Sequence, residues 1–105
     1  MAFKIPKQIT PQEVAARLKS GEPLMLLDVR EPVEWAEGHV AGAKHISLGQ
    51  LGERRNELDP QRETIVICRS GNRSGLACEL LSELGYNVVN MTGGLNNWTD
   101  ELVRE

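Results

Sequence analysis

The stretch "VICRSGNRSG", residues 66–75, changes pattern halfway along. Thr64–Cys68 is a short apolar run of the kind that forms a buried strand. Downstream, Leu76, Ala77, Leu80, Leu81 and Leu84 recur at helical spacing until Gly85 stops the helix. Arg69 to Arg73, with Ser74 near the helix start, form the loop between them. The unit is a strand, a tight loop and a helix, and Cys68 sits at the carboxyl end of the strand.

Working outward, the same alternation recurs. Thr10-Pro11-Gln12-Glu13 reads as a capping box with proline at the first helical position, and Ile9 can staple against Val14. Gly21 stops that helix. Leu24–Leu27 is a continuous apolar run suited to a strand covered on both faces, and it ends at Asp28-Val29-Arg30. A short helix is expected over Pro32–Glu37, a small strand at Lys44–Ile46, and another short helix from Ser47 through Asn56. Tyr86–Asn90 reads as a strand and Gly94–Val103 as a final helix. Apolar strands alternating with helices imply an α/β fold, a parallel sheet with helices on both faces. Ligands bind such sheets outside the carboxyl ends of the strands, near a switch in strand order. Cys68 and Asp28 both lie at such ends.

The 105 residues read as one domain, 1–105, large enough to bury a core unaided. An apolar fraction of 40% and a net charge of −3, with acids and bases interspersed, argue against a nucleic-acid or anionic-lipid partner. No apolar run is long enough to span a bilayer. The start, Met-Ala-Phe-Lys-Ile-Pro, lacks the pattern of an export signal, so the two cysteines are expected to be reduced thiols in the cytoplasm. A strand end and the following helix rarely bring two Cβ atoms within disulfide reach, which argues against a Cys68–Cys78 bridge. Only His39 and His45 could supplement the cysteines as soft ligands, and paired-Cys spacing is missing, so neither a metal nor a cofactor is expected.

The chemistry concentrates in the loop. Arg69, Ser70, Gly71, Asn72, Arg73 and Ser74 allow the backbone to curl so that successive N–H groups converge on one point. The helix N-terminus adds orphan amides and the positive end of its dipole. A thiol held there is favoured as thiolate, more so if Arg69 and Arg73 face inward rather than into solvent. Cysteine is also among the most frequently buried residues, so simple packing is the competing reading for Cys68. Cys78, on the flank of the Leu76/Leu80/Leu84 stripe, reads as a structural thiol.

This loop, with "LLDVREPVEWAEGHVAGAKHI" (26–46) upstream and "MTGGLNNW" (91–98) downstream, resembles the rhodanese sulfurtransferase family over Ile9 to Trp98. The resemblance implies a three-layer α/β/α domain with five parallel strands in the order 3-2-4-5-1. It also implies that the Cys68 thiolate takes the outer sulfur of a donor such as thiosulfate or a persulfide. A thiophile then removes that sulfur, and the thiophile is cyanide, a small thiol or a protein cysteine. The amides of Arg69–Ser74 would stabilise the persulfide, and Arg69 and Arg73 would orient an anionic donor. Asp28 and Arg30 would either support the loop or form an ion-paired strand end. His39 reads as a structural hydrogen-bonding residue, and Trp35 and Trp98 as packing anchors. Gly93 and Gly94 read as a tight turn bordering the site.

Three other functions fit parts of this pattern, one of them a persulfide carrier that serves a single protein partner and uses thiosulfate poorly. Cysteine phosphatases and arsenate reductases use a similar loop with five residues between cysteine and arginine, whereas four separate Cys68 from Arg73. The shorter loop suits one sulfur atom better than a tetrahedral oxyanion. A non-catalytic adaptor of the same family often lacks the cysteine, which this chain keeps.

Overall fold

The computed structural model describes residues 7–104. The N-terminal segment behind the export-signal reading lies outside the described residues. The strands are β1 (Lys7–Ile9), β2 (Met25–Asp28), β3 (Lys44–His45), β4 (Thr64–Ile67) and β5 (Val88–Met91). The helices are α1 (Pro11–Lys19), α2 (Pro32–Glu37), α3 (Leu51–Arg54) and α4 (Asn72–Glu83). The five strands form one sheet in the order β1-β5-β4-β2-β3, every pair parallel. Read from the opposite edge this is the expected 3-2-4-5-1.

Alternation along the strands divides the core in two. Leu27, Val29, Val66, Cys68 and Val88 pack on one face with Leu51, Ala77, Cys78 and Leu81. Leu26, Ile65, Ile67, Val89 and Met91 pack on the other with Val14, Leu18, Leu95 and Trp98. Helices therefore cover both faces, as continuous apolar strands require. The chain reverses its winding between β2 and β4, where Asp28 aligns with Ile67, one residue before Cys68. The carboxyl ends of these neighbouring strands form the floor of the site.

The α1 capping box is present: Thr10 Oγ1 accepts from Glu13 N at 3.1 Å, and Thr10 N donates to Glu13 Oε1 at 3.2 Å. Three expectations are corrected, and one strand is added to those the residues suggest. Strand β1 does not emerge from the pattern of the residues, because it has three residues and only Ile9 is buried. The helix expected from Ser47 to Asn56 is broken into a 3₁₀ turn (Leu48–Gln50), α3, and a second 3₁₀ turn (Arg55–Glu57). Gly49 and Gly52 weaken this segment's helical preference, and Ser47 makes no side-chain cap.

The expected final helix is only a 3₁₀ turn, Gly94–Asn97. Beyond it the chain extends, and Val103 and His39 exchange backbone hydrogen bonds of 2.8 Å in an antiparallel bridge. Asn96, Asn97, Thr99 and Asp100 offer little helix preference to resist that pairing. On α4 the leucine stripe faces outward, with Leu76 56% exposed. Ser74, Ala77, Cys78 and Leu81 are the buried face. Small residues let α4 approach the sheet closely, which the leucine periodicity does not reveal.

Candidate active site

Helix α4 starts earlier than the sequence suggests. Gly71 is its N-cap, with a left-handed φ of 97°, so Asn72 and Arg73 belong to the first turn. A side chain at Gly71 would be strained at that φ, and its Cβ would stand 3.0 Å from Gly93 N. This turn aims the Gly71 N–H at Cys68 Sγ, at 3.0 Å. Ser74 Oγ lies 3.3 Å from the same sulfur. Cys68 is buried on the loop floor, while Arg69, Ser70 and Asn72 on the rim are exposed.

Burial by itself pushes the Cys68 thiol up. Hydrogen bonds from the Ser74 hydroxyl and from the backbone amides of Ser74, Gly71 and Ser70 outweigh it, and the net shift is downward. Cys78 lacks such donors: burial, reinforced by the charge of Cys68, pushes it up to about 12. Two thiols on one core face thus differ in chemistry because only one has amides aimed at it.

Two supports stand behind the loop: Asn90, which sequence reasoning missed, and Gly94, in the turn expected to border the site. Asn90, buried in β5, accepts from Ser74 Oγ at 2.5 Å and donates through Nδ2 to Gly71 O at 3.2 Å. Gly94 packs directly on the loop backbone. Its Cβ would fall 2.5 Å from the carbonyl oxygens of Cys68 and Arg69. The close approach lets Leu95 N donate to Cys68 O and Asn96 N to Arg69 O, each at 2.9 Å. Holding the carbonyls outward leaves the following N–H groups to converge on sulfur. A polar residue inside an otherwise apolar strand is the one signal that could have singled out Asn90.

The loop arginines neither stand unopposed over the sulfur nor trail free in solvent. Glu34, in the first turn of α2, receives Arg73 as a fork, Nη1 to Oε1 at 2.6 Å and Nη2 to Oε2 at 2.9 Å. Arg69 Nε donates to Glu34 Oε2 at 3.1 Å, and Glu31 N donates to Oε1 at 3.0 Å. The Arg73 guanidinium, opposed by partial burial and helped by the Glu31 amide and Arg69, holds the Glu34 carboxyl well below the usual carboxylate range. Arg73 remains within electrostatic reach of Cys68. Sequence reasoning missed Glu34, since an acid early in a helix reads only as a cap.

Asp28 and Arg30 are buried and pair with each other. Arg30 Nη2 donates to Asp28 Oδ2 at 2.8 Å and to Gly38 O at 2.7 Å, and Arg30 N and Nε complete the carboxylate's partners. Among the described residues their side chains bond to each other and to Gly38, not to the Cys68 loop, the arrangement of an ion-paired strand end. His39 Nδ1 bonds to Trp35 O at 2.9 Å, and the two rings stack with centroids 3.5 Å apart. Trp98 packs against the core cluster opposite Cys68.

A parallel α/β domain with a cysteine cradled by amides at a β-strand end and a Gly-Gly turn braced against it belongs to a defined class. Residues 10–101 match the Rhodanese-like domain family, and the chain is a member of that family. The Bacillus subtilis protein YtwF, provisionally named a sulfurtransferase, is 40% identical over 95 residues, covering 90% of this chain and 92% of its own. Thiosulfate sulfurtransferase GlpE of Pseudomonas putida is 32% identical over 89 residues, 84% of this chain and 81% of its own. The crystal structure of a rhodanese-like domain protein from Staphylococcus aureus superposes with a TM-score of 0.90 at 31% identity. That match covers 94% of this chain and 98% of the other.

Proposed function

We propose that this chain is a sulfurtransferase in which Cys68 carries the transferred sulfur as a persulfide. The observation that carries the reading is the pair of polar contacts on Sγ, the Gly71 N–H donating at 3.0 Å and Ser74 Oγ at 3.3 Å, which with the Ser70 and Ser74 amides favour the anion in spite of burial. In the first step the thiolate attacks the sulfane sulfur of the donor. The Cys68 Sγ–S bond forms as the donor's S–S bond breaks, and the leaving group departs with that electron pair: sulfite from thiosulfate, a thiolate from a persulfide. The terminal sulfur of the product is anionic, and the loop N–H groups around Sγ stabilise it as a preorganised cradle. In the second step a thiophile attacks that sulfur and Cys68 leaves as thiolate. Cyanide yields thiocyanate, and a small or protein thiol yields a new persulfide. This is two-step covalent transfer with ping-pong kinetics.

The roles of the remaining residues follow. Arg69, Ser70, Gly71, Asn72, Arg73 and Ser74 form the cradle, with Asp28 and Arg30 fixing the strand end beneath it. Both free thiols fit a reducing compartment such as the cytoplasm. Intact mass after incubation with thiosulfate or a persulfide donor tests the reading. A gain of about 32 Da, one sulfur atom in covalent transfer, is expected on the wild type, removed by cyanide and missing in Cys68→Ser. An adduct persisting in Cys68→Ser sinks the assignment. Rapid phosphate-ester turnover without thiocyanate formation would replace it with the phosphatase reading.

A further inference from the structure

The loop carries two arginines, yet its surroundings offer little free positive charge. The Glu34 carboxylate is 14% exposed and accepts four hydrogen bonds, three of them from Arg69 and Arg73. Both Nη groups of Arg73 are committed to it. Glu37 stands 4.0 Å from Arg69, and Glu31 adds a further acidic charge within reach of Arg73. Two guanidinium groups are thus matched by at least two carboxylates, and the thiol at the centre is itself shifted toward its anion by the Ser74, Gly71 and Ser70 donors. A dianion approaching Cys68 meets no surplus of positive charge. Capture of small anions depends on such a surplus.

We propose that Glu34 is a specificity-determining residue that withholds Arg69 and Arg73 from small dianionic donors, so that the site draws its sulfur from the persulfide of a thiol. The proposal rests on Cys68 being the sulfur acceptor. The two donors differ in charge at the reacting end. Thiosulfate presents a dianion and releases sulfite, also a dianion. A thiol persulfide presents one charge on its terminal sulfur and releases a thiolate, the remainder of the donor lying outside the loop. In each case one S–S bond breaks, one forms at Cys68 Sγ and charge is conserved. The α4 amides and the Ser74 hydroxyl suffice for a single anionic sulfur, whereas a sulfonate group calls on guanidinium donors, of which Glu34 occupies Arg69 Nε and both Nη groups of Arg73.

Single-turnover loading of Cys68, followed by intact mass, tests this with thiosulfate and cysteine persulfide as probes. Glu34→Gln removes one negative charge while keeping the shape of the side chain. Loading from thiosulfate is expected to rise about tenfold at low ionic strength, the gain shrinking with added salt. Loading from cysteine persulfide should stay within about twofold, which also reports that the variant folds. No gain with thiosulfate, or equal gains with both probes, overturns the proposal. A second measurement needs no variant: wild-type loading from thiosulfate should be flat or rise with ionic strength. A steep fall would mean that the arginines do attract the dianion, and it too overturns the proposal. If neither probe places sulfur on wild-type Cys68, the persulfide reading itself fails, an outcome distinct from a misassigned Glu34.

Discussion

Removal of the Ser74 hydroxyl should depopulate the Cys68 thiolate about tenfold below the thiol's pKa. The magnitude follows from one proton with two claimants. Asn90 Nδ2 is tied to Gly71 O, so Oδ1 faces Ser74 and can only accept. With Cys68 as a thiol, S–H donates to Ser74 Oγ and the hydroxyl donates to Asn90. On ionisation Sγ can only accept, so the hydroxyl turns from Asn90 to the sulfur across 3.3 Å. A hydrogen bond to a charged group contributes about 1.5–3 kcal/mol, the hydroxyl–Asn90 bond given up about 0.5–1.5, and the weak S–H bond lost with the proton little. The difference, about 1–1.5 kcal/mol, is close to one decade of thiolate population. Because the shift stabilising the thiolate is downward, Ser74→Ala raises the Cys68 pKa and reduces the thiolate at neutral pH. Ultraviolet thiolate absorbance against pH, with the Cys68→Ser, Ser74→Ala double variant as blank, reads this directly. Persulfide formation should show the same displacement and converge with the wild type at high pH. An unmoved titration would mean that the hydroxyl stays with Asn90 in both states and would refute the reasoning. A loss of rate equal at every pH would assign Ser74 to loop positioning instead.

Two further outcomes test the frame around the sulfur. Gly94→Ala puts a Cβ about 2.5 Å from the Cys68 and Arg69 carbonyls at a φ of 59°, and overpacking with left-handed strain costs about 2–4 kcal/mol. Thermal melting should fall accordingly, and sulfur transfer should fall further than folding accounts for. A variant with wild-type melting and turnover would show that the turn does not brace the loop. Cys78→Ser should leave turnover within about threefold of wild type, since a thiol held protonated in the core is neither nucleophile nor resolving group. A large loss of activity in a well-folded protein would refute that. Alkylation of the native wild type should likewise consume a single thiol, with Cys78 reacting only on unfolding.

Much of the fold is legible in the chain because its elements are locally determined. Pro11 and Glu13 cap α1 from within their own turn. The apolar runs at 24–27 and 64–68 admit burial on both faces, and the Cys68 loop falls between recognisable strand and helix patterns. Where local preference is weak, tertiary contact decides. Residues 98–103 extend because Val103 finds His39, and Lys7–Ile9 is a strand because β5 offers it an edge. Leu76, Leu80 and Leu84 follow helical spacing yet face outward, since close packing on the sheet selected Ala77 and Cys78 beside Leu81.

The sequence by itself determined the class of chemistry: a cysteine closing a strand, a six-residue loop able to converge its amides, and a helix N-terminus to receive a negative charge. Each of these depends on residues adjacent in the chain, whose geometry backbone preference largely dictates. Only the tertiary structure decided what surrounds that charge. Glu34 reaches the loop from 35 residues away and occupies both arginines. Asn90 meets Ser74 from the neighbouring strand, and Gly94 presses on the loop from beneath. Electrostatics and packing act through space, so the surroundings of Cys68 are built from partners that chain order does not bring together.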